Sequence, residues 1–359
     1  MYNKYFKINK HKFLLHSVLL ICCTIILFAC NYNQKDSNLA TNSISASNEI
    51  INNKTTTSFK DDCKYYDIFN ISPVEIIVPK NQTVAQGLSV LVNDGKGNLI
   101  VFDGGRVEDA DYLSDIIKDN GGVVKTWYIT HIHDDHIGAL YKILSDKRTD
   151  IVIKELYYDF ANFDWYYEKM GNDAGIYTLF DNAIRDYNVN MKSINKAELK
   201  VLEKAAIDYR DKENDESNNI VDVTVLNNVY AIDQDPINNT SIVYLVSIMN
   251  NKVNMLILGD LGYGGGEKFF NDVENQFEFW LKKKLYGSDI IVLAHHGQNG
   301  IDPKLYKRFT PSVIIWPTSE DIYLNSHGRY YTNDTKKVLS EIDTIEYQIK
   351  SYEETAIIR

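Results

Sequence analysis

The feature that most constrains this chain is a cluster of metal-ligand residue types at 130–140, where the sequence is Thr-His-Ile-His-Asp-Asp-His-Ile-Gly-Ala-Leu. This run holds three of the chain's eight histidines. Its core places His131, His133, Asp135 and His136 within six residues. Nitrogen and oxygen donors of this kind suit Zn²⁺ and similar divalent ions. Because a two-metal centre needs ligands from several segments, the fold has to bring other loops to this one.

The cluster lies between a predicted strand and a predicted helix. Residues 123–129 are β-branched and aromatic, which is typical of a buried strand. Residues 137–144 have apolar side chains at helical spacing. The cluster is therefore predicted on a strand-to-helix loop, the usual position of a functional site on a rigid scaffold.

Two later segments repeat the same order of an apolar strand, ligand-type residues and glycine. Residues 256–260 end in Gly259-Asp260, and residues 290–297 end in His295-His296-Gly297. An isolated His-x-His is usually polar surface, but three such segments argue against coincidence. Two metal ions held by converging loops lower the pKa of a bound water, which then becomes a hydroxide nucleophile.

Strands and helices alternate along the chain, with hairpins at 88–102 and 241–258. This order predicts two mixed sheets covered by helices rather than a doubly wound parallel sheet. The aromatic-rich segment 158–190 is predicted to be helical and to pack in the core. An alternative is that it walls a cleft that binds choline or sugars. Segments 336–342 and 345–349 are predicted to close the fold.

The N-terminus is predicted to be an export signal. Lysines precede an apolar stretch at 13–29, and Leu27-Phe28-Ala29-Cys30 resembles a bacterial lipobox, in which the cysteine is lipidated. The alternative is an uncleaved membrane anchor. Residues 31–63, rich in Asn, Ser, Thr and Lys, are predicted to be a flexible tether, and 64–359 a single domain. Apart from the lipidated Cys30, Cys63 is then the one cysteine of the mature protein, so no intrachain disulfide is expected.

The net charge of the chain limits which partners its surface can attract. The chain carries a formal charge of −11, and without the four lysines of the signal the exported part carries −15. Such a surface has no general attraction for nucleic acid or anionic lipid. A phosphate-bearing substrate would have to be held by metal and by local groups.

The His-x-His-x-Asp-His run, with the two later segments, resembles the metallo-β-lactamase superfamily over most of 70–340. The resemblance implies an α+β fold, the αββα sandwich of two mixed β-sheets flanked by helices, with a dinuclear metal site between the sheets. Within the superfamily, 239–243, 256–260 and 295–297 look like the ComEC-type branch, which includes the extracellular domain of DNA-uptake channels. The layout is also similar to that of phosphorylcholine esterases that act on teichoic acid.

The resemblance also implies two divalent metal ions, Zn²⁺ first and Mn²⁺ as the alternative. The ligands would be His131 and His133 for one ion, Asp135 and His136 for the other, Asp260 bridging both, and His296 as the last histidine, with His295 as the fallback. Asp103 would support the site without binding metal. The chain departs from the family pattern because no histidine lies between His136 and His295. Residues 236–241 offer only Asn and Thr, which leaves a position that water or a phosphoryl oxygen could fill.

Three residues are candidates for catalysis: Asp135, His295 and His327. Asp135 is a ligand whose loss should abolish activity, and His295 is a second-layer or substrate-contacting group if His296 binds metal. His327, assisted by Arg329, would protonate the leaving group or bind a phosphate oxygen. The alternative for His327 is an ordinary exposed loop histidine.

These observations predict an exported, membrane-tethered metal-dependent hydrolase, a phosphodiesterase or other phosphoesterase that uses a metal-bridging hydroxide. It would lie on the extracytoplasmic face of the cell membrane, anchored through lipidated Cys30. Its substrate would be a small-molecule or envelope-polymer phosphoester, and the sequence indicates no protein partner. The alternative is an accessory protein that captures envelope polymer or DNA with a degenerate metal site. Retention of all four ligands of the His-x-His-x-Asp-His run and of Asp260 argues against that reading, and the acidic charge argues against DNA.

Overall fold

The fold is built from fourteen strands within the residues that the computed structural model describes, 58–202 and 220–359. In chain order they are β1 (Lys64–Tyr66), β2 (Glu75–Val78), β3 (Ser89–Asn93), β4 (Leu99–Asp103), β5 (Val123–Tyr128), β6 (Val152–Tyr157), β7 (Lys200–Leu202), β8 (Val221–Val225), β9 (Tyr244–Ile248), β10 (Val253–Ile257), β11 (Ile290–Val292), β12 (Val313–Trp316), β13 (Tyr347–Lys350) and β14 (Ala356–Ile358).

The α-helices of the same residues follow or separate these strands. They are α1 (Ala110–Asp119), α2 (Asp134–Ser145), α3 (Phe163–Met170), α4 (Gly175–Ser193), α5 (Tyr263–Gln276), α6 (Phe279–Tyr286), α7 (Glu320–Leu324) and α8 (Thr332–Leu339). Short 3-10 helices occur at Phe59–Asp62, Val107–Asp109, Gly171–Ala174, Asn238–Thr240, Ala294–Gly297 and Pro303–Arg308.

The strands form two mixed sheets, as predicted. In space, the first sheet has the order β1-β14-β2-β3-β4-β5-β6-β7 and the second the order β13-β12-β11-β10-β9-β8. The run from β4 to β7 is parallel, and so is the run from β10 to β13. Both hairpins, β3–β4 and β9–β10, are antiparallel.

Alternation along the strands explains why the layers are helix, sheet, sheet, helix. Val90 and Val92 of β3 pack between the two sheets, whereas Leu91 faces the helices on the outer side of the first sheet. In β10, Met255 points between the sheets and Leu256 faces α5 and α6. Side chains alternate along a strand, so a continuous apolar strand supplies two cores at once. The αββα prediction is confirmed.

Two parts of the fold differ from the sequence prediction. The last strand, β14, was not predicted; it inserts between β1 and β2, although 345–349 had been expected to end the fold. Part of the segment predicted to be a tether is also structured: residues 59–62 form a 3-10 helix, and Phe59 is buried in the core between the first sheet and its helices. The predicted signal, the lipobox cysteine and residues 31–57 of the tether lie outside the described residues. Within 58–202 and 220–359, no helix combines the length and apolar character needed to cross a bilayer.

Candidate metal centre

The candidate site lies where four strands end. Asp103 is the last residue of β4, and the 130–136 loop follows its parallel neighbour β5. In the second sheet, Asp260 follows β10 and His296 follows the parallel neighbour β11. The carboxyl ends of parallel strands meet at one edge of a sheet, so the chain's separate motifs come together there.

Hydrogen bonds join the loops of the site, one between the two sheets and two within the second sheet. The Ile242 amide donates to the Thr130 carbonyl at 2.9 Å, and the His295 amide donates to the Gly259 carbonyl at 2.9 Å. The Asp260 amide donates to Ser241 Oγ at 2.8 Å. Gly259 has a φ of +56°, and a Cβ there would lie 2.8 Å from Ser241 Cβ. Glycine is therefore required for the close approach that sets Asp260 in place.

Two groups of ligand-type side chains result among the described residues. One consists of His131, His133 and Asp260, and the other of Asp135, His136 and His296. Within each group, the potential ligand atoms lie within 4.8 Å of one another. All six are buried except His133, which is partly exposed. Either group could hold a metal ion, and the partition is the one that the family resemblance implies.

Asp260 contacts both groups. Its Oδ1 lies 3.2 Å from His136 Nε2, and its Oδ2 lies 3.3 Å from His296 Nε2 and 3.9 Å from His131 Nε2. Asp135 Oδ2 lies 3.2 Å from His296 Nε2. Asp260 therefore lies between the groups, near the second through both oxygens and near the first through Oδ2, and its role as a bridging ligand stays a prediction.

The Nδ1 atoms of His136 and His296 make hydrogen bonds that fix the orientation of the two rings. His136 Nδ1 donates to Asp103 Oδ2 at 2.7 Å, and His296 Nδ1 donates to the Pro317 carbonyl at 2.5 Å. Asp103 also accepts from the Thr130 amide and hydroxyl, both at 2.7 Å. Such partners fix the tautomer and leave Nε2 as the ligand atom. Asp103 thus has the supporting position predicted for it.

The donor set fits divalent metal. His136 Nε2 and His296 Nε2 are buried and make no well-directed hydrogen bond, although carboxylate oxygens lie 3.2 to 3.3 Å from them. An unsatisfied buried nitrogen is costly, and a metal ion at this position would satisfy it. Imidazole nitrogens with carboxylate oxygens suit Zn²⁺, and Mn²⁺ is compatible with the carboxylates.

The charges of the metal-free site compensate one another. Burial acts to lower the pKa of His136, but Asp260 and Asp103 outweigh it and hold that pKa well above its usual range. Burial likewise opposes protonation of His296, yet Asp260 and Asp135 raise its pKa to about 9. The pKa of Asp260 is held well below its usual range because His136, His296 and His295 outweigh the effect of its own burial. Without metal, the protonated His136 and His296 rings thus supply the positive charge that offsets the buried carboxylates.

The histidines of the first group have lowered pKa values, unlike those of the second group. Burial lowers the pKa of His131 well below its usual range, and the neighbouring His136 adds to the effect. Burial also lowers the pKa of His133. His131 Nε2 lies 3.0 Å from His133 Nδ1. Two neutral imidazoles with facing nitrogens are ready to bind a cation without first losing a proton.

The two adjacent histidines of the last motif separate in space. His296 is buried in the second group, whereas His295 is partly exposed at its edge, with Nε2 3.9 Å from Asp260 Oδ2. Both have left-handed backbone, with φ of 48° and 58°. His296 is therefore better placed as a ligand, and His295 is better placed to meet a substrate.

The structure does not bring His327 into either group. His327 and Arg329 are both exposed, on the turn between α7 and α8. The catalytic role suggested for His327 stays a prediction. Asp134, which lies between candidate ligands in the sequence, is exposed, and its Oδ2 lies 2.9 Å from Arg106 Nη1.

Sequence reasoning missed two residues that hold Asp135. Arg106 Nη2 lies 3.5 Å from Asp135 Oδ2, and Gln86 Nε2 donates to the same oxygen at 3.1 Å. Both come from the segment around the β3–β4 hairpin, and no local pattern marks them as partners of a residue so distant in sequence.

Comparison with solved structures finds similar overall folds at low identity. The metallo-β-lactamase fold protein YhfI from Bacillus subtilis is 7% identical, with a TM-score of 0.43, covering 77% of this chain and 95% of its own. Unliganded yeast PDE1 is 12% identical, with a TM-score of 0.42, covering 80% of this chain and 97% of its own. A Cronobacter sakazakii metallo-β-lactamase with a HARLDQ motif is 12% identical, with a TM-score of 0.37, covering 79% of this chain and 97% of its own.

Sequence comparison gives the family. No curated protein sequence matches the chain. The family model described as Metallo-beta-lactamase superfamily matches residues 83–296, a span that contains every residue of both ligand groups. Because the match covers more than half of the sequence, the chain belongs to the metallo-β-lactamase superfamily.

Proposed function

We propose that this chain is a metal-dependent phosphoesterase that acts on phosphodiesters. The observation that carries the proposal is the pair of buried ligand groups that meet at Asp260. Zn²⁺ or Mn²⁺ ions bound there would lower the pKa of a bound water toward neutrality and offset the negative charge of a phosphoryl group. The choice of phosphodiesters over carbonyl substrates rests on the resemblance to the ComEC-type branch.

The chain's own residues keep the site in one geometry. Arg106 and Gln86 hold the Asp135 carboxylate, and Asp103 holds the His136 ring. Side chains locked in this way need little rearrangement when charge develops on a substrate. His295, at the partly exposed edge, is placed to donate a hydrogen bond to a substrate oxygen.

The proposal includes export and a lipid anchor at Cys30, with an envelope-polymer or small-molecule phosphoester as substrate. The signal-like sequence 1–30 and the polar segment after it support this part. The acidic charge of the exported chain fits a substrate that is recognised at the site itself rather than by long-range attraction.

The test is hydrolysis of bis(p-nitrophenyl) phosphate and p-nitrophenyl phosphorylcholine by wild type and Asp135→Asn, each with added Zn²⁺ or Mn²⁺. We expect Asp135→Asn to lose activity by about 100-fold or more, because it removes a ligand rather than a ligand's supporting partner. Asp146→Asn is the matched control, since Asp146 is exposed and its side chain makes only a surface ion pair with Lys142. Activity that survives in Asp135→Asn, or that does not depend on metal, would overturn the proposal.

A further inference from the structure

The first ligand group lacks the further histidine that the family pattern provides. His131, His133 and Asp260 give it three side chains, one of which contacts both groups. The segment in which the family pattern places a further histidine, 236–241, contains none. This segment nevertheless lies at the site, because Ser241 Oγ accepts from the Asp260 amide.

Asn238 is the residue of this segment with an unused ligand atom. It belongs to the 3-10 helix Asn238–Thr240 and is only 7% exposed. Its Oδ1 is buried and has no hydrogen-bond partner. Its Nδ2 donates to Asp235 Oδ1 at 2.8 Å. The same Nδ2 lies 3.4 Å from His295 Nε2, which itself lies 3.9 Å from Asp260 Oδ2.

In the neighbouring Asn239, by contrast, both the oxygen and the nitrogen of the side-chain amide have hydrogen-bond partners. Its Oδ1 accepts from the amides of Gly262 and Gly265, at 2.9 and 3.0 Å, and its Nδ2 donates to the Gln234 carbonyl. Asn239 thus fastens the start of α5 with its full hydrogen-bonding capacity. Asn238 has no such partner for its oxygen, and a buried carboxamide oxygen left unpaired is costly.

We propose that the carboxamide oxygen of Asn238 binds the ion of the first group, in the position that a histidine has in many superfamily members. This inference rests on the proposed function, since it needs a metal at His131 and His133. Binding satisfies the orphaned oxygen, and the Asp235 contact orients the amide. A neutral oxygen donor in place of an imidazole also shifts the site's preference toward Mn²⁺ relative to Zn²⁺.

The test measures metal binding rather than activity. Metal-free wild type, Asn238→Ala and Asn238→His are titrated with Mn²⁺ by electron paramagnetic resonance, and with Zn²⁺ by competition against a chromogenic chelator. We expect Asn238→Ala to weaken one of two binding steps by about tenfold or more. We expect Asn238→His to keep both steps and to raise the Zn²⁺-over-Mn²⁺ preference of one of them.

Asn254→Ala is the matched control. Asn254 is also 7% exposed, but its amide oxygen accepts from Ser247 Oγ on the second sheet. It should cost stability without changing either binding step. If Asn238→Ala does not fold, Asn238→Leu replaces it, because leucine keeps the size of the side chain, lacks the oxygen and should weaken the same step.

The outcomes separate this inference from the proposed function. Two unchanged binding steps in a folded Asn238→Ala overturn the role of Asn238 alone. Two unchanged steps in a folded Asn238→Leu overturn it likewise. Wild type that binds no metal overturns the proposed function and this inference together. Loss of a step in Asn238→Ala, matched by the loss of the same step in His131→Ala, supports the assignment.

Discussion

At the scale of single residues, Asp103 shows how a group that binds no metal can govern the site. Its carboxylate is fully buried and receives hydrogen bonds from Thr130 and His136. Burial raises the pKa of Asp103, while the His136 ring and Thr130 act to lower it. The carboxylate therefore depends on its neighbours, and in return it keeps His136 Nε2 directed at Asp260.

Replacing Asp103 tests this supporting role. In Asp103→Asn, the amide is a weaker acceptor than the carboxylate and leaves the His136 ring less basic and less firmly oriented. We expect metal affinity to fall by about 10- to 100-fold, measured by chelator competition. Asp94→Asn is the control, since Asp94 is also buried but caps the β3–β4 turn through Lys96 and Asn98. Unchanged affinity in Asp103→Asn would contradict the role.

The proton on His296 should make the stability of the metal-free chain depend on pH. The pKa of His296 is raised to about 9 in the fold, against about 6.5 in an unfolded chain. Its contribution is then complete below about pH 6.5 and is lost as the pH rises through about 9. We expect the Tm of the metal-free protein to fall between pH 7 and pH 10, measured by circular dichroism. His296→Gln should show a smaller fall, because the His136 ring, whose pKa is also raised, still titrates. An equal fall in that variant would contradict the assignment.

At the scale of elements, the loop after β11 is the most strained part of the site. His295, His296 and Gly297 all have left-handed backbone. Strain of this kind persists where the surroundings fix it, and it is frequent at functional sites. A Cβ on Gly297 would lie 2.3 Å from Trp316 Cζ3. The turn that aims His296 inward therefore depends on a glycine packed against an indole ring.

Gly297→Ala tests the turn. It adds both a left-handed penalty and a clash with Trp316, so we expect a loss of about 2 kcal/mol or more in unfolding free energy, with a matching loss of metal binding. Gly97→Ala is the control, because Gly97 also has a positive φ, +91°, but has open space around its Cβ position. Chemical denaturation measures both variants. Equal losses in the two would show that packing at Gly297 contributes nothing.

Which features of the fold and the site the sequence could predict depends on how far apart in the sequence the interacting residues lie. That the residues of the two candidate groups come together was predictable, because each follows an apolar strand and adjoins a glycine or a helix. Asp135's partners Arg106 and Gln86 were not, since only the tertiary fold brings them near. The three-residue strand Ala356–Ile358 was missed because it is too short to show a period. Asn238 was noticed only as the absence of a histidine; its orphaned oxygen is visible only in three dimensions.

At the scale of the whole molecule, the two sheets each contribute half of the site. The first sheet supplies the His-x-His-x-Asp-His loop, and the second supplies Asp260 and His296. Apolar side chains from both sheets fill the space between them. Neither half can hold two ions alone, so metal binding should report on the docking of the sheets as well as on the ligands.

The predicted anchor is also a property of the whole molecule. Cys30→Ser removes the one residue that the lipobox can lipidate, so we expect the protein to move from the membrane fraction to the soluble exported fraction. Fractionation followed by immunoblotting measures this change. Cys63→Ser, which alters a thiol inside the domain, is the control and should stay with the membrane. Membrane retention of Cys30→Ser would contradict lipid anchoring.

The central claim is a two-metal centre joined by Asp260, and the metal content of the purified chain tests it most directly. Inductively coupled plasma mass spectrometry on wild type reconstituted with Zn²⁺ or Mn²⁺ should give about two ions per chain. Asp260→Asn, which removes the side chain that contacts both groups but leaves the second group complete, should retain no more than one. Wild type without bound ions, or Asp260→Asn that still holds two, would contradict the account.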